Sequence, residues 1–233
     1  MSTSQTEPPV HSEPSTLLAI HVGMPRTYGH PDAEEPMDRE WTTSFFKEPV
    51  PGPVRMLRTR VEGDQPANTE AHGGPEQAAL IYSADHYPTW QRELDLPDFG
   101  YGAFGENFSV SGLTEDTVSI GDVLAIGDVR LEVSKPRAPC WKIDRRWRRD
   151  DLMRRVGETG RTGWYVRVLK EGTVSPGLAV SLQAGPCPEW TVTRVTRVMG
   201  ERRSRPEEAA ALAACEHLSP DWREKLARTA SDR

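Results

Sequence analysis

The sequence predicts a mainly β protein: a barrel-like closed β structure with a few flanking helices, followed by a small three-helix domain. Three observations predict it. From Val118 to Val133, apolar and polar residues alternate across two Gly-Asp turns, Gly121-Asp122 and Gly127-Asp128, as half-buried antiparallel strands do. Short apolar runs bounded by glycine and proline recur from Leu17 to Leu182, with few stretches of helical period between them. Beyond Gly185-Pro186-Cys187-Pro188 the period changes, and Val192, Val195 and Val198 fall at helical spacing.

Composition sets the outer limits. The 233 residues are enough for one sizeable domain with a small appendage, and 36% hydrophobic with 27% charged residues is a globular balance. A net charge of −6 argues against a general nucleic-acid binder. No apolar run approaches the roughly 20 residues that span a bilayer. The opening Met1-Ser-Thr-Ser-Gln-Thr-Glu-Pro-Pro9 has neither a basic start nor an apolar core, so no secretory signal is expected. Three scattered cysteines form neither a disulfide framework nor a CxxC pair, which places the chain in a reducing, cytoplasmic setting.

In chain order, residues 1–15 are rich in Ser, Thr, Pro and Glu without periodicity and are expected to be a disordered tail. The β domain is expected over 16–185. Its first strands are Leu17–Val22, Trp41–Lys47 and Val54–Val61, the last with Val54 and Met56 inward. Lys47, at a strand end, is either a solvated charge or a ligand. In Ala71-His72-Gly73-Gly74-Pro75, His72 can be a metal ligand, a proton carrier or a turn residue. Ala78–Tyr82 reads as a buried strand. Ser83 then caps a helix whose Tyr87, Trp90 and Leu94 form an apolar stripe, better explained as core than as a binding surface. Gly105-Glu106-Asn107-Phe108 either presents side chains to a cleft or starts a bulged strand. Ile143 to Val156 reads as one basic helix, its arginines a solvated face before an anion site. Trp164–Leu169 and Leu178–Leu182 are the last strands. Residues 186–233 make the three-helix domain, which must pack on the barrel or on a second subunit, being too small to stand alone. Cys187 and Cys215 read as structural.

The chemistry concentrates at Lys135-Pro136-Arg137-Ala138-Pro139-Cys140-Trp141-Lys142. Pro136 and Pro139 end the preceding ladder, because proline has no N–H to donate. Cys140 is thus expected on a stiff segment at a sheet end, with Lys135, Arg137 and Lys142 near it. Cations beside a thiol favour the thiolate, which attacks electrophiles and binds soft metals. The alternative is a buried loop cysteine.

Several stretches, in one order, carry a resemblance. They are Phe45-Phe-Lys47-Glu-Pro-Val50, His72-Gly-Gly-Pro75, His86-Tyr-Pro-Thr-Trp90, Gly102-Ala-Phe-Gly-Glu-Asn107, Ile120-Gly-Asp122 and the Cys140 segment. Together they resemble a MOSC domain, most of all its YiiM-like subgroup, in which a barrel precedes a three-helix tail. Where relatives tend to read Gly-Asp-Gly-Gln-Ala-Asp, this chain has Gly63-Asp-Gln-Pro-Ala-Asn68. The resemblance implies a molybdenum-cofactor protein with Cys140 as metal or sulfur ligand. It further implies an oxidoreductase that detoxifies N-hydroxylated bases or amidoximes. Lys47, Arg55, Arg137 and Lys142 are the expected cofactor-binding cations, with His72 and Asn107 bonding pterin, substrate or an oxo ligand. With no cysteine cluster in the chain, electrons are expected from a separate flavin or nicotinamide reductase. The tail is then a docking or dimer surface. Two other readings stay open: a sulfur carrier with a Cys140 persulfide, and a non-catalytic cofactor-delivery protein.

Overall fold

The computed structural model describes residues 14–69 and 73–231. In chain order the strands and helices are β1 (Thr16–Val22), β2 (Arg26–Tyr28), β3 (Trp41–Thr43), β4 (Glu48–Pro49), β5 (Val54–Leu57), β6 (Arg60–Val61), β7 (Ala79–Ser83), α1 (Tyr87–Leu94), β8 (Phe108–Ser111), β9 (Val123–Ile126), β10 (Val129–Pro136), α2 (Lys142–Trp147), α3 (Leu152–Thr159), β11 (Trp164–Lys170), β12 (Gly172–Val174), β13 (Val180–Gln183), α4 (Val192–Glu201), α5 (Pro206–Ala213) and α6 (Pro220–Ser231). The expected disordered tail lies almost wholly outside the described residues.

The main sheet has eight strands in the order β13-β9-β10-β11-β7-β8-β1-β4. Only its β7–β8 pair is parallel. The alternation from Val118 to Val133 delivers the β9–β10 hairpin, turned at Gly127-Asp128, with Val129 opposite Ile126. The expected closed barrel is not formed. The sheet curls until Leu17 N donates to Leu178 O (2.9 Å) and Gly177 N to Leu17 O (2.7 Å), which leaves one isolated bridge, Thr16–Ala179, and no ladder. Two features stop it there. The segment ahead of β13 is the turn Ser175-Pro176-Gly177, with Gly177 at φ +89, so little of it is extended. The second half of β1 pairs instead with β4, Val22 facing Glu48.

Three other expectations shift. The Trp41–Lys47 strand stops at Thr43, whose Oγ1 accepts the Phe45 N–H (3.1 Å) and turns the chain. Val54–Val61 is a hairpin of β5 and β6 rather than one strand. The basic helix is two helices. Arg148 takes a left-handed conformation (φ 52), and the Asp144 carboxylate accepts the Met153 N–H (2.6 Å), closing the start of α3 from α2.

The buried residues form two clusters on either side of β7. One gathers the inward faces of the sheet, including Ile20, Met56, Ile81, Leu124, Val133 and Trp164, and continues without a break into Val195, Val198, Leu212 and Leu226 of the C-terminal helices. The helical tail therefore buries its apolar stripe on the sheet, which a unit of its size requires. The other cluster packs Tyr87, Trp90 and Leu94 of α1 against Phe99, Phe104, Ile143 and Val156. The aromatic stripe of α1 is core, as expected.

Candidate functional site

A cleft of ≈ 110 Å³ opens where β10 ends and α2 begins. That is room for about three or four waters at roughly 30 Å³ each, enough to enclose the tip of a ligand but not a whole cofactor. Cys140, Lys142, Arg137, Lys47, Asp64 and Tyr165 all line it. Cys140 is partly exposed there as a free thiol, its carbonyl held by the Ile143 N–H (3.1 Å). Proline at 136 and 139 delivers it as expected: Pro136 closes the β10–β11 ladder opposite Trp164.

Arg137 is the unusual cation of the site. It is buried, and among the described residues no carboxylate lies within ion-pairing distance of its guanidinium. Its backbone N–H donates to Gly163 O (3.0 Å), but Nη1 is buried without a hydrogen-bond partner. Its charge lies over the Phe45 ring, 5.8 Å from the centroid. A buried guanidinium without an anion is costly.

Lys47 also reaches the cleft, but its Nζ is bound to the Asp64 carboxylate, which accepts the Gly23 N–H as well (2.8 Å). Burial pulls the Lys47 ammonium below its ordinary range, and Asp64 opposes that pull. The pair presents little net charge to a ligand. Burial raises the Tyr165 phenol, against the pull of the Arg137 charge, so it lines the cleft as a neutral hydroxyl.

Other expected residues sit elsewhere or serve the frame. Arg55 is exposed on β5 opposite Thr173 and does not line the cleft. Strand alternation explains it: Val54 and Met56 face inward, so Arg55 faces out. Lys135 turns away from Cys140 and pairs with Asp221 of α6 (2.7 Å). The amide of Asn107 is engaged by the sheet, with Oδ1 accepting from Leu80 N (3.0 Å) and Nδ2 donating to His21 O (3.1 Å). His72 lies outside the described residues, although Gly73 lines the cleft.

The cleft's far wall is held by Gly105 and Glu106, from a stretch expected either at a cleft or at a bulged strand start, and by arginines expected as a solvated face. Glu106 is fully buried and accepts from Tyr87 Oη, Gly102 N (2.6 Å), Phe104 N (3.2 Å) and Ser109 Oγ (2.8 Å). Gly105 has φ +72, and a Cβ there would meet the Phe45 ring at 2.9 Å, so glycine is required where this loop presses on the cleft. Arg146 donates to Phe45 O (3.0 Å) and Gly102 O (2.7 Å), fixing Phe45 beneath Arg137. Arg145 lies between Trp41 and Trp141, 4.9 and 5.7 Å from their centroids. Arg148, Arg149, Arg154 and Arg155 pair with carboxylates, so these four charges are compensated. The signals for Asp64 and Phe45 were a Gly-Asp turn and an aromatic pair ahead of Lys47.

A mainly β sheet carrying a thiol and an orphaned guanidinium at the mouth of one cleft, with helices appended, defines the class. Residues 68–181 match the MOSC domain, and the chain belongs to the MOSC family. Residues 190–228 match the YiiM-like 3-alpha helix domain, which sets the subgroup. Among curated relatives, protein YflK of Bacillus subtilis is 38% identical over 72% of this chain and 72% of its own length. A Gibberella moniliformis protein named "Reductase" is 37% identical over 88% of this chain, which spans only 35% of it. Escherichia coli YiiM is 35% identical over 60% of this chain and 63% of its own length. The crystal structure of YiiM from Geobacillus stearothermophilus superposes with a TM-score of 0.77 at 29% identity, covering 93% of this chain and 100% of that one. That of Escherichia coli YiiM shares the fold, with a TM-score of 0.72 at 24% identity, covering 94% and 92%. Among the described residues no helix is long and apolar enough to cross a membrane.

Proposed function

We propose that this chain binds the molybdenum cofactor and reduces small N-hydroxylated compounds of the hydroxylaminopurine or amidoxime type. The observation that carries the reading is the pairing of Cys140 with Arg137 in one cleft. A soft thiolate suits molybdenum, and a buried cation with an unpartnered N–H suits the phosphate of a pterin. These residues fit the group, which when bound supplies two-electron oxygen-atom chemistry. Cys140 Sγ would ligate the metal, and Arg137 with Lys142 would hold the anionic end. Asp64 withdraws Lys47 from that duty, and the Lys47 Nζ–Asp64 Oδ1 pair instead holds a proton at the cleft wall. Reduction of R–NHOH to R–NH₂ and water consumes two electrons and two protons, so a proton held there has a use. The Asn107 amide fixes the wall by joining β1 to β7. The name of the Gibberella relative, "Reductase", supports the same reading. Electrons come from a separate flavin or nicotinamide reductase, for which the three-helix tail is the docking surface.

The test is elemental analysis of protein made in a cofactor-competent host. Cys140→Ser should lose molybdenum while Cys187→Ser retains it, because serine is a poor soft ligand. Molybdenum absent from the parent chain, or equal in both variants, overturns the assignment. Turnover of an N-hydroxylated base should occur with reduced viologen and not with NADPH alone.

A further inference from the structure

Away from the cleft, the fold brings two thiols together. Cys187 lies where the chain leaves the sheet, and Cys215 lies in the junction between α5 and α6. Their Sγ atoms are 3.0 Å apart although the residues are 28 positions apart in the chain. A disulfide bond is about 2.05 Å, so the sulfurs need to close by only about 1 Å. Among the described residues no group of three His, Cys, Asp or Glu side chains could hold a metal ion, so the pair is not part of a metal site. Cys215 is buried and Cys187 partly exposed, which gives a small oxidant one way in.

We propose that Cys187 and Cys215 are an oxidation site, where hydrogen peroxide forms a disulfide that clasps the C-terminal helices to the sheet. Sulfur of one cysteine attacks a peroxide oxygen, the O–O bond breaks, and a sulfenic acid and water result. The second sulfur then displaces the sulfenic oxygen as a second water. The two thiols give up two protons and two electrons, and peroxide is reduced to two waters. Burial, then the hydrogen bond and charge of Cys215, push the Cys187 thiol up to about 12. Catalytic dithiols are easily re-reduced because their thiolate is stabilised. Cys187 lacks that stabilisation, so its thiol is slow toward peroxide and is not poised for exchange.

The clasp closes over contacts that already join the helices to β10 and β11. Arg167 Nη2 donates to His217 O (2.9 Å), Ser219 N donates to Ser134 O (3.0 Å), and Lys135 pairs with Asp221. β10 runs on to Arg137, so the bond would fasten the strand that feeds the cleft.

The full-length chain, reduced and then exposed to hydrogen peroxide, is alkylated and mapped by mass spectrometry without reductant. The expected product is a joined pair of peptides containing Cys187 and Cys215, separated by dithiothreitol. The melting temperature should rise by roughly 7–14 °C on oxidation, the shift for a link closing a loop of this length in a chain of this size. Cys140→Ser should keep both effects and Cys187→Ser should lose both. Should Cys215→Ser fail to fold, the Cys187→Ser comparison stands alone. Both thiols still alkylated after peroxide, Cys187 over-oxidised without a partner, or a joined peptide containing Cys140 overturns the site. A joined pair with unchanged melting temperature overturns the clasp.

Discussion

Replacing Arg137 with methionine should make the protein more stable and less able to hold an anion. The guanidinium is buried, faces no carboxylate among the described residues, and leaves Nη1 unbonded. A buried donor without a partner costs about 1–3 kcal/mol. The contact with Phe45 at 5.8 Å returns about 0.5–1 kcal/mol. Methionine fills similar volume without the charge, so Arg137→Met should gain up to about 2.5 kcal/mol, or up to roughly 10 °C in melting temperature for a chain of this size. Phosphate should act in the opposite direction. It is expected to bind the folded parent and to raise its melting temperature by mass action. Loss of one charge-assisted hydrogen bond, about 1.5–3 kcal/mol, should weaken phosphate or pyrophosphate binding roughly 10- to 150-fold. Urea denaturation gives the first quantity and thermal melts across a phosphate series give the second. An Arg137→Met variant that is less stable by more than about 1 kcal/mol, yet keeps the phosphate response, would show that the arginine is structural.

The Lys47–Asp64 pair gives a contrasting case, because both charges are buried and compensated. Asp64→Ala should cost about 3–5 kcal/mol in urea denaturation, whereas Lys47→Met with Asp64→Ala should recover most of it; equal costs for the single and double variants would refute the pairing. His21 should make the fold acid-sensitive. Burial lowers its imidazole below 6.5, helped by Arg146 and Lys47 and opposed by Glu106, and its Nδ1 has no partner. Below pH 6.5 the unfolded chain therefore binds a proton that the folded chain refuses, so stability is full above that pH and falls as pH drops toward the folded value. His21→Gln should flatten this slope, and an unchanged slope would place the acid sensitivity elsewhere.

The legible parts of the fold were those set by local periodicity. The β9–β10 hairpin follows from alternation and a Gly-Asp turn, and the buried face of α1 from Tyr87, Trp90 and Leu94. What was lost depended on contacts between distant residues. Nothing local marks Arg148 as a left-handed break, since the residue is neither glycine nor asparagine; the Asp144–Met153 bond across the break is visible only once both helices are placed. The barrel failed for a similar reason, because competition between β4 and the 177–180 segment for β1 is tertiary. Cys140 and Arg137 line one cleft, and the prolines that fix their segment made that proximity legible. Asp64 was not, because only the fold brings it to Lys47. Arg55 was legible and missed: the inward reading of Val54 and Met56 already turned it outward.

The placement of β1 has a consequence for how the chain is made. Leu17 and Ile20 are almost wholly buried, yet β4 pairs only with the end of β1, the rest of β1 finds its ladder partner in β8, and its last backbone bonds form near Leu178. On a ribosome adding about 5–20 residues per second, the strand that emerges first waits roughly 10–30 s for that final partner. Until β8 emerges, the Leu, Leu, Ala and Ile of its first part stand without a ladder partner. A nascent chain stalled before β8 should therefore engage holdase chaperones through this segment, and one released after Gln183 should not.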